Sequence, residues 1–141
     1  MKLQKLFVAV CAAAAALLFV ACDSPEKVVH KYNEAINERD AETLGELMYF
    51  DKERREVKKA LKQTNADWAQ DRIDDVRGPK TSVNTRKTME VIGVYENGSK
   101  AVVAVVYKKD GKEDGDLLFD RFTLEKDEGA WKICKSPEIS K

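Results

Sequence analysis

The chain has 141 residues, with 25 basic side chains against 25 acidic ones, and 35% of it is charged. That length holds one domain with a real core and hardly two. The even charge balance argues against the concentrated basic footprint that a nucleic-acid partner requires, and a single histidine with three cysteines gives no metal-ligating cluster.

Lys2 and Lys5 open the chain, and Leu6 to Ala21 then runs sixteen residues without a charge. A positive start, an apolar stretch and a small residue before the cut form a signal-peptide pattern. Ala21 followed by Cys22 resembles the lipobox of bacterial lipoproteins, where the signal is cut before a diacylated cysteine. Phe19 departs from the leucine that this family prefers, and Cys11, behind branched Val10, would leave too short an apolar stretch. An uncleaved membrane span needs about 20 apolar residues, more than this run offers; a plain secretory signal is the other alternative. The expectation is a signal peptide over residues 1–21 and a single domain over 22–141, anchored to the lipid bilayer through acylated Cys22. Each buried methylene adds ~0.8 kcal/mol, so two or three acyl chains hold a domain stably. Asp23 after the cysteine resembles the inner-membrane retention signal of enterobacteria, which implies a domain on that membrane facing the periplasm.

Lys2 and Lys5 leave with the signal, so 23 basic residues remain against 25 acidic ones, a charge near −2. Cys134 is then the lone thiol and no intramolecular disulfide can form. With no histidine near it in sequence, it reads as a half-buried strand residue.

Ser24 can cap a helix with Pro25 at its first position and Glu26 at the positive end. Val28, Val29, Tyr32, Ala35 and Ile36 fall on one helical face, while His30 falls on the polar side. Asp40 caps a second, short helix whose apolar residues are Leu44, Leu47, Met48 and Phe50. Asp51 caps a third, from Lys52 to about Asp71, striped by Val57, Ala60, Leu61, Thr64 and Trp68. The charge-dense run Lys52 to Lys59 reads as a solvated helix face. Gly78-Pro79 marks a turn in the segment Arg72 to Lys87, expected to be a loop entering a strand near Ser82.

From Lys87 the apolar period changes from 3.6 to 2. A first strand runs to about Tyr95, with Gly93 as a bulge, and Asn97-Gly98 supplies a hairpin with both residues at positive φ. Ala101 to Tyr107 is apolar almost throughout, which suits a central strand covered on both faces: helices on one, a cavity wall or a partner on the other. Asp110-Gly111 and Asp114-Gly115 lie in a polar loop. A third strand, Leu117 to Lys126, sets Leu118, Asp120, Phe122 and Leu124 on one face. Asp127-Glu128-Gly129 turns into a last strand through Trp131 and Ile133, which Pro137 ends. Helices followed by strands, without βαβ alternation, give the α+β class.

Ser24-Pro25-Glu26-Lys27-Val28-Val29, Tyr32, Ala35-Ile36-Asn37 and Asp40-Ala41-Glu42, together with the apolar strand and Gly129-Ala130-Trp131-Lys132-Ile133, resemble small bacterial lipoproteins of the nuclear-transport-factor-2-like, or cystatin-like, superfamily. The resemblance covers most of residues 24–135 and implies a cone: N-terminal helices packed on a curved antiparallel four-stranded sheet, often with a pocket at the wide end. Two functions follow, the first read from the chain's own residues and tether, the second implied by enzymes of the superfamily. One is a membrane-tethered binding or accessory module for a small apolar ligand or an envelope protein, with Tyr32, Trp68, Tyr107, Asp120 and Phe122 as pocket candidates. The other is an isomerase- or dehydratase-like enzyme using Asp120 with a tyrosine donor. A lone carboxylate that can pair with Arg121 is not a catalytic set, so the binding module is the expected function, with no cofactor or metal and no nucleic-acid partner. Dimerisation through the open sheet face, common in the superfamily, is compatible with the alternating charges of these strands.

Overall fold

In the computed structural model, residues 23–77, 87–109 and 117–136 are described. The signal peptide with Cys22, the Gly78-Pro79 turn with Ser82, the Asp110–Asp116 loop and Pro137 lie outside them. The described elements are α1 (Pro25–Glu38), α2 (Ala41–Leu47), α3 (Lys52–Leu61), α4 (Asn65–Arg77), β1 (Lys87–Asn97), β2 (Lys100–Lys109), β3 (Leu118–Asp127) and β4 (Ala130–Lys135). The class is α+β: four helices on an open antiparallel sheet of order β1-β2-β3-β4.

Each helix begins where a short polar side chain can satisfy an orphan backbone N–H. Ser24 Oγ accepts from Lys27 N at 3.2 Å, Asp40 from Thr43 N at 3.1 Å and Asp51 from Arg54 N at 2.8 Å. The single third helix read from the sequence is in fact two. Lys62 takes the left-handed conformation (φ 54°) and closes α3. Thr64 and Asp67 then open α4 reciprocally: Thr64 N donates to the Asp67 carboxylate at 2.7 Å, and Asp67 N donates to Thr64 Oγ1 at 3.2 Å. That is a capping box with aspartate in the distal position. Helix α4 also continues through Arg72 to Arg77, where a loop was expected.

The sheet is a meander. Between β1 and β2 the register slips between Val91 and Gly93, which leaves Ile92 as the extra residue of the bulge. Asn97 pairs with Lys100, so Gly98 and Ser99 form the two-residue loop, and only Gly98 has a positive φ, 60°. A type I′ turn at Asn97-Gly98 is therefore replaced by a loop one residue later with glycine at its first position. The β3–β4 loop has both central residues at positive φ, Glu128 (51°) and Gly129 (82°), as a type I′ turn requires. Beyond β4, Tyr49 N donates to Ile133 O at 2.9 Å and Met48 makes a parallel bridge to Ile133, which covers part of that edge.

The core lies between the helices and one sheet face. Val28, Val29, Tyr32, Ala35 and Ile36 of α1 meet Val103, Val105, Phe122 and Leu124, and the same cluster takes in Leu44, Ala69 and Ile73 from the other helices and Met89, Ala101, Trp131 and Ile133 from the sheet. The helical cover expected for β2 is present over Ala101, Val103 and Val105. On the opposite face Val102, Ala104 and Val106 are only half-buried. Their cross-strand neighbours Tyr95 and Phe119 are each 67% exposed.

Candidate functional site

Four of the five residues read as pocket candidates converge, and one does not. Phe122 is fully buried and packs edge-on against Tyr32, ring centroids 5.3 Å apart at 76°. It therefore belongs to the packed core and lines no open cavity. Trp68 sits elsewhere, edge-on to Phe50 at 6.2 Å, with its indole N–H donating to Gln63 Oε1 at 2.8 Å.

At the margin of the core a polar cluster forms around Arg72. Its Nε donates to the Tyr32 hydroxyl at 3.1 Å and its Nη2 to Ser136 Oγ at 2.7 Å. The Tyr107 phenol lies close enough to feel its neighbours. Burial raises its pKa most, the Tyr32 and Asp120 groups add to the rise, and Arg72 works against it. Asp120 is half-exposed, and its Oδ1 accepts from the backbone N of Arg121 at 2.7 Å. Asp120 and Ser136 border a surface groove of about 330 Å³ beyond the end of β4, so a small polar solute can reach one side of the cluster. A guanidinium and three hydroxyls offer hydrogen bonds to a carboxylate or carbonyl. Sequence reading missed Arg72 and Ser136. The usable signal for Arg72 was its place between Ala69 and Ile73, both fully buried, on the inward face of a helix that the sequence reading ended at Asp71.

A larger open groove, about 580 Å³, lies where the described chain begins, bordered by Asp23, Lys31, Phe50, Arg55, Lys58 and Trp131 among others. Asp23 is buried, its carboxylate 3.0 Å from Lys27 Nζ and 2.5 Å from Lys31 Nζ. Burial by itself pushes this carboxyl up, but hydrogen bonds from Lys31 and Lys27, with their charges, outweigh it and hold the pKa below the usual 3.8. A depressed folded pKa contributes stability above the unfolded value and loses it as pH falls through the folded one. Asp23→Asn is therefore expected to lower the urea midpoint at neutral pH, with the gap to the parent closing below about pH 4. An equal gap in acid would refute the ion pairs.

Across this groove Lys58 Nζ lies 3.7 Å from the centre of the Phe50 ring and donates to Asn65 Oδ1, while Arg55 Nε donates to Phe50 O at 2.6 Å. Burial first, and the nearby Arg55 charge second, lower the pKa of Lys58.

Cys134 is half-buried, as expected, with Sγ 3.9 Å from Glu125 Oε2. Burial and that carboxylate push its thiol up to about 11. Reactivity follows the thiolate, so carboxamidomethylation of Cys134 near pH 8 is expected to run on the order of a hundredfold slower than for a free cysteine. Peptide mass spectrometry over time measures this, and labelling at the free-thiol rate would show that the site is open. Histidine 30 is exposed, 3.9 Å from Glu26.

The family model described as "TcaA protein second domain" matches residues 25–126, from the start of α1 almost to the end of β3. No curated protein matches. Among solved structures, the solution structure of a SEC-C motif containing protein from Rhodopseudomonas palustris is similar at 18% identity, with a TM-score of 0.52, covering 83% of this chain and 80% of that one. At that identity the likeness concerns the fold.

Proposed function

The chain belongs to the TcaA second-domain family, and on that premise we propose that it is a binding or accessory module held at the bacterial cell membrane through acylated Cys22, with residues 22–141 facing the periplasm. The proposed partner is an envelope protein, and a second copy docking on the same surface is the homodimeric form of that reading. A nuclear-transport-factor-2-like cone with helices seated in its sheet suits such a module, because one sheet face remains for display. The observation that carries the reading is the apolar character of that outer face: Ile92, Tyr95, Leu117 and Phe119 are 51–67% exposed beside half-buried Val102, Ala104 and Val106. Exposed apolar patches of this kind mark interaction sites. A shallow depression of about 260 Å³ beside Val106 and Phe119 gives a small apolar ligand room on the same face.

A photo-crosslinking residue in place of Phe119, introduced into cells, is expected to yield a discrete adduct with an envelope protein or a second copy; no adduct from positions 95 and 119 would end this reading. Cys22→Ser should abolish acyl labelling and release or stall the protein, and unchanged labelling would remove the tether from the proposal.

The second reading, an isomerase- or dehydratase-like enzyme, is favoured by the meeting of Tyr32, Arg72, Tyr107 and Asp120 beside an open groove. In it Asp120 would take the proton and a tyrosine hydroxyl would hold the developing oxyanion. Turnover of an enolisable ketone, lost in both Asp120→Asn and Tyr107→Phe, would support it; turnover that survives both changes would dismiss it.

A further inference from the structure

Helix α3 is unlike the other three. None of its residues is buried, and its apolar side chains Val57 and Leu61 are 40% and 61% exposed. A ten-residue helix of this kind draws little from packing, although most helical stability in proteins comes from it. Lys52, Arg54, Arg55, Lys58, Lys59 and the C-cap residue Lys62 stand against Glu53, Glu56 and the N-cap residue Asp51. The helix is tied to the domain through Phe50, under Lys58 and bonded to Arg55.

Its position in the fold gives this composition a meaning. Arg55 and Lys58 border the same groove as Asp23 and Lys31, which Lys132, Glu46, Asp127 and Glu128 also line. Asp23 is fixed onto α1 by two lysines, and Ser24 already caps that helix. Cys22 is the next residue, and one residue spans at most ~3.6 Å. A bilayer that holds Cys22 therefore comes up against the α3 side of the domain. Val57 and Leu61 share one helical face, bordered by Arg54 and Lys58 on one side and by Glu53 on the other; arginine and lysine stems that lie along apolar surface while their charges stay in water are the chemistry of interfacial helices.

We propose that α3 docks on the anionic lipid surface of the membrane to which the chain is tethered. The proposal rests on the acylated-Cys22 reading. It fixes the orientation of the domain on the bilayer, with α3 toward the membrane. Each basic side chain near an anionic surface adds roughly fivefold to the affinity, so three of them govern on the order of a hundredfold.

The test uses the full acylated protein carrying Leu61→Trp, reconstituted in vesicles of phosphatidylethanolamine and brominated phosphatidylglycerol in a three-to-one ratio. The mass of its N-terminal peptide reports acylation separately. Fluorescence quenching well above that of the parent, whose Trp68 and Trp131 set the background, is expected. Adding Arg54→Gln, Lys59→Gln and Lys62→Gln, which leave the Lys58 and Arg55 contacts with Phe50 intact, should return quenching to the parent level. An acylated protein with no extra quenching would overturn the docking while leaving the tether in place, and would point α3 toward an acidic protein instead. Quenching that survives loss of the three charges would also overturn it. An unacylated Cys22 would bring down both readings.

Discussion

Phe122→Ala is expected to cost about 3–5 kcal/mol, a large share of the 5–15 kcal/mol by which such a domain is stable. Phe122 is fully buried between α1 and the sheet, its ring edge-on to Tyr32, and Val103 is its partner across the strands. Truncation loses the transfer free energy of the ring and leaves a cavity that rigid neighbours on two elements cannot collapse to fill. Urea denaturation gives the difference, and the melting temperature should fall by roughly 10–20 °C. Phe119, three residues earlier on the same strand, faces outward and is 67% exposed, so Phe119→Ala should stay within about 0.5 kcal/mol. Comparable losses at both positions would mean that the sheet is covered on both faces in the isolated protein.

The second large effect is expected at Gly45→Val. A Cβ at Gly45 would lie 2.9 Å from the backbone C and O of Asn65 and 3.1 Å from Ala66 N. These are main-chain atoms in the first turn of α4, and they cannot move aside as a flexible side chain would. Replacing glycine inside a helix ordinarily gains up to about 1 kcal/mol in backbone entropy. Here overpacking costs of about 1–3 kcal/mol work against it. Valine adds two further methyl groups to the clash, so the net loss should reach the upper end of that range. The contact lies between α2 and α4, so hydrogen exchange should show both helices loosened while the β2–β3 pairing stays protected. Unchanged stability would mean that the two helices pass farther apart than their backbones now indicate.

Where the signals were local, the sequence was readable. Ser24, Asp40 and Asp51 cap the helices that follow them, and the change of period at Lys87 marks the first strand. These features depend on a residue and its near neighbours in the chain. The break at Lys62 was local too: Thr64 and Asp67 are spaced as a capping box, but an apolar stripe running across them from Val57 to Trp68 masked it. That stripe proved illusory because periodicity tells which residues share a face, not whether the face meets anything. Val57 and Leu61 face solvent while Ala69 and Ile73 are fully buried.

The candidate site was legible in part for the same reason. Alternation along β3 set Asp120 and Phe122 on one face, and the Tyr107 phenol does come within electrostatic reach of Asp120. Nothing local could bring Arg72 to Tyr32 and Ser136, forty and sixty-four residues away in sequence. Nor could spacing show that Trp68 turns to Phe50 on another part of the surface.

By itself, then, the amino-acid sequence determined the α+β class, most of the helix starts, the meander and the β1 bulge beside Gly93, because caps, turns and side-chain period act over a few residues. Only the tertiary structure decided which apolar faces are buried, how close α2 and α4 approach at Gly45, and which polar groups meet at Arg72. Those outcomes depend on surfaces far apart in the chain excluding water together, and no local pattern records which surfaces meet.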